Sequence, residues 1–69
     1  MNELIAFIEG RLHYASLPTS NRNDVSAFFA QAFGALDFYI MYHPEAEAEL
    51  HDIWDSYVEK FHTLIEAAN

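Results

Sequence analysis

The chain has 69 residues, 52% hydrophobic and 16% aromatic, with no cysteine and three basic residues against eleven acidic ones, a net charge of −8. That length allows one small domain, residues 1–69, and the missing cysteines exclude disulfides and cysteine-based zinc sites. With Arg11, Arg22 and Lys60 as the whole basic set, direct nucleic-acid binding and docking on anionic lipid are both disfavoured.

The first helix is expected over about residues 2–16. Leu4, Ile5, Ile8, Leu12 and Ala15 recur at helical spacing and predict its inward face. Phe7 and Tyr14 make a narrower stripe beside Arg11, and Glu3, Ala6, Glu9, Gly10 and His13 take the outer side. The amino terminus lacks a basic region and carries Glu3 and Glu9, so it does not read as a signal peptide.

Residues 17–24, LPTSNRND, break that helix. Pro18 disfavours helix in the residue before it. Ser20, Asn21, Asn23 and Asp24 are all types that cap a helix start.

The second helix is expected to run to about Tyr42. Residues 25–42, VSAFFAQAFGALDFYIMY, hold six of the eleven aromatic side chains and are apolar on nearly every side. A helix apolar all round has to be enclosed. One face is bulky (Val25, Phe29, Phe33, Leu36 and Ile40, flanked by Phe28 and Tyr39) and is expected to be buried. The other is mostly small, Ala27, Ala30 and Gly34, and ends in Phe38 and Met41. Small residues at that spacing admit a close helix. Two readings of Gly34 follow: it makes room for Trp54 in its own chain, or it lines a groove for a second copy. Asp24, Gln31 and Asp37 interrupt the segment and argue against a membrane span. It reads as a buried helix of a cytoplasmic protein.

Pro44 forces the next break and suits the first position of a third helix, expected over residues 44–67. Glu45 and Glu47 fall in its first turn, where the helix dipole favours negative charge. Leu50, Ile53, Trp54, Tyr57, Val58, Phe61, Leu64 and Ile65 form an amphipathic stripe. Short connections make sequential helices antiparallel, which sets Gly34 level with Trp54 and Asp37 level with Leu50 and His51.

The expected architecture is therefore all-α: an antiparallel helical hairpin plus an N-terminal helix, three helices in all, dimerising into a helical bundle. The expected interface is Ala27, Ala30, Gly34, Phe38 and Met41.

Chemistry-bearing patterns are few. Glu59 and His62 match the Glu-x-x-His spacing of carboxylate-bridged metal bundles. Asp37 would add a carboxylate, with His51 as a further ligand, but Phe61 takes the inward direction between Glu59 and His62. His51 and His62 are eleven residues apart, about 16 Å along a helix, too far to share an ion. Asp37 is the odd residue on the apolar helix and calls for a partner or an edge; His51 is the first candidate partner and Arg11 of another copy the second. Ser16, Ser20, Ser26 and Ser56 have no nucleophile-elbow context, and Gly10 and Gly34 make no phosphate loop. No catalytic residue, cofactor or metal is assigned.

The function expected from the sequence is a non-catalytic protein–protein interaction or regulatory module, acting as a homodimer. Its acidic face, Glu45, Glu47, Glu49, Asp52, Asp55 and Glu59, suits a basic protein partner. The alternative is a metal-binding helical bundle using Glu59, His62, Asp37 and His51.

Overall fold

A computed structural model describes residues 1–68. Three α-helices, α1 (Asn2–Ala15), α2 (Arg22–Tyr42) and α3 (Glu47–Ala67), account for most of them, with no strand among the described residues. A short 3-10 turn, Pro44–Ala46, leads into α3.

The helix ends follow local chemistry. At the C-terminus of α1, the Ser16 hydroxyl donates to the His13 carbonyl at 2.7 Å and that of Ser20 to the Tyr14 carbonyl at 2.6 Å. These bonds add to those from the backbone N–H groups of Ser16 and Leu17, which already reach the same two carbonyls at 3.1 and 3.3 Å. Asn21 caps α2: its Oδ1 accepts from the Asp24 backbone N–H at 2.9 Å, and the Asp24 carboxylate accepts from the Asn21 N–H at 3.1 Å. This reciprocal pair is a capping box. α2 ends at Tyr42, with His43 as its C-cap, because Pro44 lacks the N–H that would continue the ladder.

Leu4, Ile8 and Ala15 of α1, Val25, Ala32 and Leu36 of α2, and Leu50, Trp54, Tyr57 and Phe61 of α3 are buried together. Phe29 stacks on Phe61 with ring centres 5.1 Å apart and on Trp54 at 5.7 Å, and Phe33 reaches Trp54 at 5.9 Å. The result is a rod of 38 × 16 × 16 Å.

Two expectations about α2 are corrected. Phe33 is half exposed, whereas Ala32 is fully buried. The helix turns its bulk aside and sends a methyl between its neighbours, which lets α1 and α3 approach. Gly34, second, does not make room for Trp54. A Cβ built on it would meet nothing within 4 Å, so the glycine stands in open space on the outer side. α2 is accordingly not a buried helix in the single chain. Its fully buried residues are Val25, Ala32 and Leu36 alone among the described residues.

Candidate functional site

The uncovered side of α2 is the most distinctive surface of the molecule. Phe33, Phe38, Met41 and Tyr42 are 50%, 61%, 70% and 65% exposed. The Phe38 and Tyr42 rings lie 5.0 Å apart and form a contiguous apolar pair, whereas Phe33 flanks the face on the side of Trp54. Ala27, Ala30 and Gly34 are exposed along the same side. Every residue of the interface expected from the sequence, Ala27, Ala30, Gly34, Phe38 and Met41, thus lies on the surface of the single chain. Tyr42 extends the patch and Phe33 flanks it; both were missed, because the sequence alone does not say which way α2 rolls. By length and composition α2 could also cross a membrane, its most apolar stretch having a mean hydropathy of 1.2.

Asp37 is exposed and lies between Phe33 and Met41, one helical turn from each. No side-chain hydrogen bond or ion pair joins it to His51; that histidine instead lies 3.7 Å from Glu47 one turn earlier on α3. Arg11 is likewise engaged within its own chain. Its guanidinium lies 5.1 Å from the ring centres of Phe7 and Tyr14 and 5.6 Å from that of Phe28, and Nη1 donates to Gln31 Oε1 at 3.3 Å. The Arg11 Nε is buried without a hydrogen-bond partner among the described residues. Cation–π attraction therefore holds this charge and ties α1 to α2.

Glu45 in the 3-10 turn and Glu47, Glu49, Asp52, Asp55 and Glu59 on α3 are all exposed. Glu49, Asp52, Asp55 and Glu59 recur every three or four residues on the side away from Leu50, Trp54 and Phe61. Glu45 sits beside His43 Nδ1 at 3.5 Å. Glu59 and His62 are both exposed, and the His62 ring packs edge-on to Phe29 at 5.7 Å. Among the described residues no three His, Asp or Glu side chains gather closely enough to hold a metal ion. Glu59, His62, Asp37 and His51 do not converge within one chain.

A different polar pair does form between helices. The Tyr57 hydroxyl donates to Glu9 Oε1 at 2.7 Å, bridging α3 to α1. Burial, then the hydrogen bond to Glu9 and the charge of Glu9, push the Tyr57 phenol up to about 12. An open depression of about 520 Å³ adjoins this pair, lined in part by Glu9, His13, Tyr57 and Lys60.

The chain matches no family model and has no significant match among curated proteins or solved structures.

Proposed function

We propose that this chain is a small cytoplasmic, non-catalytic interaction module that works as a homodimer. In this reading α2 and α3 form an antiparallel hairpin with α1 laid against it. Two copies join through the outer face of α2 into a helical bundle, and the acidic side of α3 is left free to meet a basic protein.

The observation that carries the reading is that α1 and α3 leave Phe38, Met41 and Tyr42 uncovered, with Phe33 at their flank. Large apolar patches rimmed by polar groups mark association surfaces. The placement of charge supports it further. The acidic band lies on α3 and the turn before it, whereas Asp37 is the sole charged residue from Val25 to Tyr42. Two α2 faces therefore meet without massed like charge, while the acidic bands stay in solvent.

Substituting Phe38→Glu tests the reading. Phe38 is 61% exposed and packs mainly on Tyr42, so the single chain has little packing to lose there. At an interface, loss of a central aromatic costs on the order of 2 kcal/mol per copy, enough to weaken a two-fold dimer by about a thousandfold. The expected outcome is a chain of unchanged helix content by circular dichroism and half the solution mass of the native protein. A variant that keeps the native mass contradicts the proposed interface.

A further inference from the structure

The outer face of α2 is unequal from end to end, and the inequality is patterned. Ala27 and Ala30 lie toward its start; Phe38 and Met41 lie toward its end. Gly34 stands midway, in open space. Counted from Gly34, Ala30 and Phe38 are each four residues away, and Ala27 and Met41 are each seven.

A two-fold contact uses the same patch on both copies, so the patch has to complement itself. If the two α2 helices ran parallel, like would meet like. The two Phe38 rings and the two Met41 side chains would abut, and the alanines would face one another across a gap. If they run antiparallel about Gly34, every large side chain meets a small one. Phe38 of one copy enters the space framed by Ala27, Ala30, Gln31 and Gly34 of the other, a four-residue hole of the kind helix knobs fill. Met41 reaches the level of Ala27, where Ser26, Phe29, Ala30 and Phe33 outline a mostly apolar groove of about 370 Å³.

We infer that the occupant of this face is a second copy lying antiparallel, with its two-fold axis at Gly34, so that Phe38 and Met41 of each copy fill the hollow at Ala30 and Ala27 of the other. The inference rests on the homodimer proposed above and adds its direction and register.

The extent of the face suits a dimer. At about 200 Å² for a large side chain, Phe38, Met41 and Tyr42 expose on the order of 400 Å² between them. A stable interface takes roughly 800 Å² per partner. The small residues between them and a contact running the length of a helix about 30 Å long supply the remainder. The charge is tolerable as well. Each Asp37 lies three residues from the axis, so the two carboxylates stand about 9 Å apart along the helix, near the range at which salt screens them. An anionic lipid surface, by contrast, faces a chain of net charge −8.

Cysteine cross-linking tests direction and register together, because the chain has no cysteine of its own. Cα atoms of tightly packed facing helices come within the 4.4–6.8 Å that a disulfide spans. Under mild oxidation Gly34→Cys is expected to link to itself. An equimolar mixture of Ala30→Cys and Phe38→Cys is expected to give the mixed disulfide in large excess over either symmetric one, resolved by intact mass. Circular dichroism of each variant checks that it is folded. Efficient self-linking of Ala30→Cys, together with that of Gly34→Cys, would mean a parallel dimer and overturn the inference while leaving the homodimer standing. No linking at Gly34→Cys in a native protein of doubled mass would place the dimer contact elsewhere, with the same consequence. No linking in a native protein of single-chain mass would remove the homodimer too. Co-sedimentation of that monomer with neutral phosphatidylcholine vesicles would then assign the face to lipid.

Discussion

Tyr57 is where packing and charge meet in this chain. Its ring is buried with Trp54 and Phe61, and its hydroxyl emerges between helices to reach Glu9 at 2.7 Å. Burial and the neighbouring carboxylate both favour the neutral phenol, which is why its pKa is pushed up to about 12 from 10.0. A group whose pKa is higher in the folded state than in the unfolded one contributes stability in full below the unfolded value. That contribution is lost as pH rises through the folded value. Native protein is therefore expected to lose stability between about pH 10 and pH 12, and Tyr57→Phe to lose less over the same range. At neutral pH the variant should be less stable by about 1 kcal/mol, the usual net value of one hydrogen bond, or a fall in melting temperature of roughly 4–8 °C for a domain this size. Thermal melts at pH 8 and pH 11 measure both effects. Equal sensitivity of the two proteins to alkali would show that the Tyr57 phenol is neither buried nor held by Glu9 in solution. Arg11 shows the other way this chain handles polarity, surrounding a cation with the rings of Phe7, Tyr14 and Phe28 in place of a carboxylate.

At the scale of elements, Gly34 separates the two possible fates of the α2 surface. In a single chain a side chain there meets open space, and replacing glycine by leucine improves helix propensity by several tenths of a kcal/mol to about 1 kcal/mol. Between two closely packed helices the same substitution overfills the contact, at about 1–3 kcal/mol. Gly34→Leu is thus expected to keep or raise helix content and to lose the dimer. Unchanged association would place Gly34 outside the interface. The same residue marks the limit of what the sequence disclosed. Helix ends were readable to within a few residues because their causes are local: four cap-type residues, Ser20, Asn21, Asn23 and Asp24, bracketed the start of α2, and Pro44 marked its end, although Pro44–Ala46 is a 3-10 turn and α3 begins only at Glu47. The inward stripe of α3 was readable because its apolar and charged sides are distinct, and Leu50, Trp54, Tyr57 and Phe61 are indeed buried. α2 offers no such contrast. With apolar groups all round, its orientation is decided by what α1 and α3 can accommodate, so Ala32 goes in and Phe33 stays half out. The small face was legible as a list of residues; that it is empty in the single chain, and that Tyr42 belongs to it, was not.

For the whole molecule, the question is how a chain of 69 residues with 52% hydrophobic composition disposes of its apolar surface. Two sides of α2 are covered by α1 and α3 and the third is bare, leaving Phe38, Met41 and Tyr42 each more than 60% exposed. Small chains bury a low fraction of their surface on folding and commonly make up the difference by association. The most direct measurement is sedimentation equilibrium over a dilution series from high to low micromolar protein. A homodimer joined through α2 predicts a mass of twice 8.0 kDa that falls toward 8.0 kDa only on dilution. A mass of 8.0 kDa at every concentration would contradict it.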